Sequence, residues 1–315
     1  MAQPTISDVQ PVEPILTDML VAYMQADTRF VASKVFPLVN VDKDSGTYFA
    51  FDKKYWFIDD MQARAPGAPF ATTDFTVSTG TYTTLQCALE YAIADEIRAN
   101  SQVPMDLETA AVRLLAQRSL IRKERAFSAD FMKVGVWGTD DNNSGTDWDD
   151  FSNSDPIYAI AEARRTISAN TGLDGNSMVV GYIVHTALLN HPDILDRVKY
   201  VSAAMEGNIE GALAAVFGLS NYWVGKASYD ATNEAASFAA TAIIDDDALV
   251  CHVDPGAGVF GATAGKTFVW GGGGGAGSLY RVRNDFRHAD IIQHKEQWDQ
   301  VAVATDLGYF FADIV

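Results

Sequence analysis

The sequence has few cysteines: only Cys87 and Cys251 occur in 315 residues. Two lone cysteines provide neither a disulfide framework nor a zinc constellation. Both lie in apolar, strand-like runs. We expect two buried, reduced thiols, because a free cysteine packs as a small hydrophobic residue.

Long apolar runs are also missing, since none approaches the roughly 20 residues that a helix needs to cross a bilayer. The beginning of the chain has neither the basic nor the apolar segment of a signal peptide. We therefore expect no membrane partner and a protein that is made and folded in a cytoplasm.

Positive charge is scarce: 23 Lys and Arg stand against 41 Asp and Glu, which gives a net charge of −18. Tight binding to a nucleic-acid backbone needs clustered basic side chains that displace counterions. The composition argues against sequence-specific DNA binding. It is compatible with the wall of a container to which enclosed DNA must not adhere.

Motifs for phosphate chemistry are incomplete. Residues 261–267 imitate a P-loop, but only three residues separate Gly261 from Gly265, where four are required. Residues 267–270 predict a strand, although a helix should follow the loop. A nucleotide-using enzyme built around Lys266 is the alternative from another class, and failure to bind ATP in calorimetry would remove it.

Ligand sets for metals and cofactors are incomplete in the same way. The glycines at 271–275 lack the helix of a dinucleotide fingerprint. Residues 140–145 begin like a calcium loop, but Phe151 stands where glutamate is required, so a polar surface loop is favoured. The histidines have no metal-ligand spacing, and residues 245–247 predict a turn between strands. We expect no catalytic residue, no cofactor and no metal, and therefore no enzyme.

The strongest helical signal covers residues 104–133. Three apolar residues share one face at helical spacing: Leu107, Ala111 and Leu114. Three basic residues are assigned to the same face farther along: Arg118, Arg122 and Arg125. Two interpretations remain open, namely a helix that reaches from its own core to a neighbouring molecule, or a solvated face that pairs locally with Glu124.

Residues 1–80 contain little that could form a core of their own. Residues 1–40 are compatible with an arm that becomes ordered against a neighbour and equally with a frayed terminus. Residues 41–51 predict strand, turn and strand, the following prolines exclude a helix, and residues 72–84 are again β-rich. Because an isolated two-stranded ribbon is marginal in water, we expect this ribbon to lie on another molecule.

Residues 154–315 mix helical and strand signals. Asp155 and Pro156 begin a helix that Gly172 ends, and a second helix ends at Gly218. The predicted strands lie at 178–180, 222–224, 242–244, 248–253, 267–270 and 279–283. The aromatic C-terminal segment is expected to be tied into the fold.

Ten short segments, in this order and at this spacing, carry a resemblance to a known family. They are 35–37 (VFP), 41–53, 64–67 (RAPG), 91–100 (YAIADEIRAN), 135–138 (GVWG), 190–194 (NHPDI), 217–219 (FGL), 223–226 (WVGK), 265–270 and 306–311 (DLGYFF). Taken together, they make the chain resemble the major capsid proteins of tailed phages with the Hong Kong 97-type fold.

The resemblance implies an α+β fold with five parts. These are an N-terminal arm (1–40), an extended β-ribbon loop over a neighbouring subunit (41–80), a peripheral domain (81–154) with a spine helix (104–133), an axial domain (155–280) and a C-terminal segment that completes the fold (281–315). Seven side chains become intersubunit contact candidates: Tyr48, Phe51, Arg64, Pro66, Arg118, Arg122 and Arg125.

The implied function is that of a major capsid protein. Its pentamers and hexamers would form an icosahedral head around the DNA genome, assembled in the host bacterial cytoplasm and present in the virion. The expected partners are further copies of itself, a portal, decoration proteins and a separate scaffolding protein, since no long charged helical leader is seen. The alternative is an encapsulin-like nanocompartment shell with protein cargo, which the neighbouring genes would distinguish.

Overall fold

The computed structural model describes most of the chain. The described residues are 28–51, 53–100, 104–142, 147–201, 209–232, 239–256 and 261–315. The predicted arm therefore lies largely outside the described residues. Helices and strands are interleaved along the rest, and the α+β prediction is confirmed.

Eight helices occur in the described ranges. They are α1 (Ala32–Val35), α2 (Lys53–Trp56), α3 (Asp95–Asn100), α4 (Pro104–Phe131), α5 (Pro156–Thr171), α6 (Tyr182–Asn190), α7 (Pro192–Val201) and α8 (Ile209–Phe217). None of the helices in these ranges is long and apolar enough to cross a membrane.

Fourteen strands accompany them in the same ranges. They are β1 (Leu38–Val41), β2 (Ser45–Phe51), β3 (Val77–Thr83), β4 (Leu85–Ala94), β5 (Thr139–Asn142), β6 (Ser177–Gly181), β7 (Asn221–Gly225), β8 (Ser228–Asp230), β9 (Ala240–Ala242), β10 (Ala248–Cys251), β11 (Gly265–Trp270), β12 (Ser278–Asn284), β13 (Ala289–Ala302) and β14 (Gly308–Ala312).

Strand β13 organises the first of two five-stranded sheets. Over its fourteen residues it pairs antiparallel with β4, β12 and β11, and β1 extends the sheet by parallel pairing with β11. The second sheet has the order β5-β14-β10-β6-β7. Its β6 and β10 are buried at every position, as expected for central strands covered on both faces.

Helix α4, the predicted spine helix, keeps one buried stripe along its described length. Ala111 and Leu115 pack with the side chains of the first sheet, and Phe127 and Phe131 enter the main core. The prediction that this stripe changes from apolar to basic is wrong, because the buried stripe passes through Leu115 and not through Leu114. The three basic residues expected on this stripe are exposed: Arg118, Arg122 and Arg125.

Residues 30–36 place their apolar side chains in the chain's own core and do not extend away from it. Val31, Val35 and Phe36 are buried, and the Phe36 ring lies edge-on to Phe131 with 4.9 Å between ring centroids. The buried Glu124 carboxylate accepts hydrogen bonds from the backbone N–H groups of Val31 and Ala32, at 3.0 and 2.8 Å for Oε2. Glu124 thus accepts from the first backbone N–H groups of α1. An arm that extends away from the body therefore cannot continue as far as residue 40.

Several local signals in the second half of the chain are confirmed. The Asp155 carboxylate caps α5 by accepting from the Tyr158 N–H at 2.9 Å, and Gly172 ends this helix with φ +70°. Gly218, with φ +68°, follows α8 in the same way. The strand predicted at 242–244 is observed two residues earlier, as β9. Helices α6 and α7 and most of β13 were not predicted.

Replacing Phe36 by alanine tests whether this segment belongs to the core. Because the ring is fully enclosed, we expect Phe36→Ala to lower the free energy of unfolding by about 3–5 kcal/mol. The matched control is Leu38→Ala two residues later, where the side chain is 59% exposed, with an expected change of less than about 0.5 kcal/mol. Urea denaturation of the purified chain measures both, and equal small losses would place residues 28–36 outside the core.

Candidate assembly surfaces

The base of the ribbon formed by β2 and β3 is fixed to the chain's own body. The Tyr48 and Tyr82 rings stack on Phe268 of β11, with centroids 5.8 and 4.6 Å from it. Burial, and next the negative charge of Asp299, raise the pKa of Tyr48. Tyr48, an intersubunit candidate, therefore packs within its own subunit. The backbone of the candidate Phe51 pairs with Val77, and its side chain lies outside the description.

Between β2 and β3 the chain makes an excursion, residues 53–76, that carries exposed apolar side chains. They are Trp56, Phe57, Ile58, Met61, Phe70 and Phe75. Met61 is 94% exposed and Phe70 is 81% exposed. Large apolar side chains concentrated on one exposed segment mark an interaction surface.

The excursion has local structure of its own around residues 64–70. The Arg64 guanidinium donates to the Ala68 carbonyl and lies 4.3 Å from the centroid of the Phe70 ring. Gly67 has φ +86°, a value that favours glycine. Arg64 and Pro66, two predicted contact residues, are both exposed and remain candidates for contact with a neighbour.

The three basic residues of α4 separate into two places. The Arg125 guanidinium lies 4.4 Å from the centroid of the Tyr229 ring, so this arginine contacts β8 of its own chain. Arg118 and Arg122 instead line a cavity of about 370 Å³ between α4, β4 and β13. The structure thus keeps two of the three arginines together at one potential contact site.

A buried carboxylate lies at the same cavity, and sequence reasoning missed it. Glu296 Oε2 accepts from the Ser119 hydroxyl at 2.7 Å and is 2.8 Å from the Lys123 ammonium. Burial alone would raise the pKa of Glu296, but the nearby His294, Lys123 and Ser119 outweigh it and lower that pKa to about 2. The available signal was the pair His294 and Glu296, which lie two residues apart and face one side of a strand.

The motif that imitates a P-loop serves packing. Gly265 and Lys266 begin β11, and burial lowers the pKa of Lys266. A Cβ on Gly265 would lie 2.7 Å from the Phe36 ring, so the glycine allows Phe36 to approach the strand. The prediction that a strand follows residue 266 is confirmed.

The remaining motifs lie in ordinary structure. Residues 245–247 connect β9 to β10, as predicted. Asp140 and Asp141 of the calcium-like segment lie in β5, and part of that segment falls outside the description. Within the described ranges, no group of three or more His, Cys, Asp or Glu side chains could hold a metal ion. Cys251 is buried as expected, whereas Cys87 is partly exposed.

Comparison with known proteins shows what the chain resembles. No family model matches the sequence. A major capsid protein of Burkholderia phage BcepMu is 24% identical over 227 residues, which cover 71% of this chain and 72% of the relative. The sequence comparison therefore supports the resemblance to tailed-phage major capsid proteins.

Solved structures show the fold of the chain. A phage-related protein from Bordetella bronchiseptica matches with a TM-score of 0.74 and 20% identity, over 97% of this chain and 98% of the other. The capsid of cyanophage P-SCSP1u (TM-score 0.55, 10% identity) covers 90% of this chain and 87% of its own. A virus-like particle from Pyrococcus furiosus (TM-score 0.55, 11% identity) covers 94% and 97%. The chain has the Hong Kong 97-type fold.

Replacing Glu296 by glutamine tests the buried network around this carboxylate. The pKa of Glu296 lies below its ordinary value of 4.5, so the carboxylate stabilises the fold above about pH 4.5, and this stabilisation is lost as the pH falls toward 2. Glu296→Gln should lower the free energy of unfolding at pH 7 by about 1–3 kcal/mol and flatten its fall between pH 4.5 and 2.

Denaturation curves of unassembled protein at several pH values provide the measurement. Glu96→Gln is the matched control, because Glu96 is exposed on α3. Equal pH profiles for Glu296→Gln and the unchanged protein would contradict the assigned role of this carboxylate.

Proposed function

We propose that this chain is a major capsid protein that assembles as pentamers and hexamers into a closed icosahedral head enclosing the DNA genome. The observation that carries the proposal is the excursion at residues 53–76, where the side chains of Met61 and Phe70 are 94% and 81% exposed. Burial of apolar surface is the dominant favourable term in association. A neighbouring copy supplies that burial.

Several weak contacts per subunit are sufficient for such a shell. Each copy touches several neighbours at once, and linked contacts strengthen one another without any single strong interface. The excursion presents apolar groups, and α4 presents basic ones. The two surfaces differ in chemistry, so they can join unlike faces of successive copies in a ring.

The proposal includes the contents and partners of the head. A net charge of −18 supports an inner wall that encloses DNA without sequence-specific binding. A separate scaffolding protein, a portal and decoration proteins complete the proposed set, with assembly in the host bacterial cytoplasm and a structural role instead of an enzymatic one. The predicted division into arm, loop, peripheral, axial and C-terminal parts is retained, with the arm ending before residue 28.

A nanocompartment shell is the second candidate, because the virus-like particle from Pyrococcus furiosus has the same TM-score as the cyanophage capsid. Fold alone does not separate the two functions. The Burkholderia phage relative favours the phage head. Particles that package a protein cargo and no DNA in the native host would favour the nanocompartment.

The decisive experiment measures the oligomeric state of the purified chain by native mass spectrometry and electron microscopy. We expect pentamers, hexamers or closed shells. A chain that remains monomeric at all concentrations, both alone and in cells that make the complete phage, would overturn the proposal. Efficient shell formation by the chain alone would instead contradict only the proposal of a separate scaffolding protein.

The double change Met61→Ser with Phe70→Ser tests the excursion. Both side chains are almost fully exposed, so the free energy of unfolding should change by less than about 0.5 kcal/mol. Assembly should fall at least about ten-fold, since each buried apolar side chain contributes about 1.5–3 kcal/mol. Thermal unfolding and the assembled fraction are measured on the same samples.

The matched control for this test is Phe286→Ser. Phe286 is 95% exposed between β12 and β13, away from the excursion in sequence. Loss of assembly in the control to the same degree as in the double variant would show that exposed apolar residues act without regard to position, contrary to the proposal.

A further inference from the structure

The cavity beside α4 has the composition of a binding site for an anionic group. It lies between β4, β13 and the helix, with a volume of about 370 Å³. Its lining residues are Gln86, Cys87, Ala88, Leu89, Leu115, Arg118, Ser119, Arg122, His294 and Glu296. Leucine side chains form part of the wall, and two arginines lie at its helical side.

The acidic group at this cavity is already neutralised. Glu296 Oε2 receives the Ser119 hydroxyl and the Lys123 ammonium, and Lys123 also donates to the Ala276 carbonyl at 3.1 Å. The charged groups in and beside the cavity are therefore three cations, Arg118, Arg122 and Lys123, and one anion. An excess of positive charge remains to be balanced.

His294 is the second, independent sign of a ligand. Its side chain lines the cavity and is 3% exposed, and neither ring nitrogen has a hydrogen-bond partner among the described residues. Glu296 Oε2 faces His294 Nε2 at 3.7 Å, which allows an ion pair with a protonated imidazole but is too far for a hydrogen bond, and Nδ1 has no hydrogen-bond partner among the described residues. A buried polar group without a partner costs free energy, so an incoming acceptor that bonds to the imidazole would be stabilised.

Arg118 and Arg122 define the class of ligand. They are four residues apart on a helix and therefore lie on the same side, one turn from each other. A guanidinium binds a carboxylate through two parallel hydrogen bonds and keeps its charge at every relevant pH. With Leu89 and Leu115 beside them, these arginines fit a carboxylate that is flanked by apolar side chains.

The excursion of the capsid protein offers that combination. Asp59 and Asp60 are both exposed, between the exposed Ile58 and Met61. The Thr73 hydroxyl donates to Asp60 Oδ2 at 2.9 Å and so holds this part of the excursion in shape. Two adjacent carboxylates match two adjacent guanidinium groups in number and sign.

We propose that the cavity lined by Arg118, Arg122 and His294 binds the Asp59–Asp60 carboxylates of a second copy of the chain. The proposal rests on the assembly function proposed above and adds the residues that recognise each other. The arginines pair with the carboxylates, the imidazole donates to one of them, and Glu296 is a positioning residue that holds Lys123 and Ser119.

A charge exchange tests the pairing. Arg118→Glu with Arg122→Glu, and separately Asp59→Arg with Asp60→Arg, should each lower the assembled fraction at least about ten-fold, because like charges then face each other. The chain that carries all four changes should recover assembly, since every contact again joins opposite charges. Native mass spectrometry measures pentamers, hexamers and shells in each sample.

Two controls isolate the site. Arg113→Glu reverses an exposed charge on the same helix away from the cavity lining and should leave assembly unchanged. Thermal unfolding establishes that each variant is folded. Should the reversed pair fail to fold, Arg118→Gln with Arg122→Gln provides the test, with reduced assembly and a weaker dependence on salt as the expected result.

The outcomes separate this inference from the function on which it rests. A parent chain that never associates overturns the assembly function. A parent chain that assembles together with an equally competent Arg118→Glu, Arg122→Glu variant overturns the cavity as a contact. Loss of assembly in both reversed pairs without recovery in the four-fold variant overturns Asp59 and Asp60 as its occupants.

Discussion

The fold depends on the buried stripe of helix α4. This stripe joins three separate apolar clusters: one with the first sheet, one around Phe30 and Ile243, and the main core that also contains the second sheet. A single rigid element therefore fixes how the two sheets lie relative to each other. Because interiors are close-packed, a shift of the helix would disturb all three clusters at once.

The same constraint explains why the opposite side of α4 is available for contact. The helix spans about 42 Å at 1.5 Å per residue, and its side away from the sheets is exposed at Arg113 and Leu114. Its outer face carries Arg118 and Arg122 into solvent. Glu124 and Glu296, by contrast, are charged groups that the fold buries, and each is held by hydrogen bonds to another element.

The ribbon, unlike α4, buries apolar side chains mainly at its base. Tyr48 and Tyr82 attach its base to Phe268, so the direction in which it leaves the body is fixed by stacking. Beyond that base, the pairing of β2 with β3 satisfies backbone groups but buries little apolar surface. Among the described residues, the extension is therefore a surface on which the proposed contact with a neighbour would complete the packing.

Local signals in the sequence were sufficient for part of this structure. Asp155 and Gly172 mark the two ends of α5 because capping depends on residues a few positions apart. The contact of Phe36 with Gly265 joins distant parts of the chain, and the Ser119–Glu296 bond spans 177 positions. No periodicity reports such a contact, which is why residues 28–36 were assigned to an arm and the buried carboxylate was missed.

The distribution of charge links the fold to assembly. In a chain of net charge −18, copies repel one another at long range, and association requires local sites where the sign is reversed. The cavity at α4 is such a site, because Ser119 and Lys123 already occupy its only carboxylate among the lining residues. In the proposed pairing, general repulsion disfavours contacts in wrong orientations, while the few basic positions select the correct one. The overall negative charge and the arginines on one face of α4 would therefore act together to select the proposed contact.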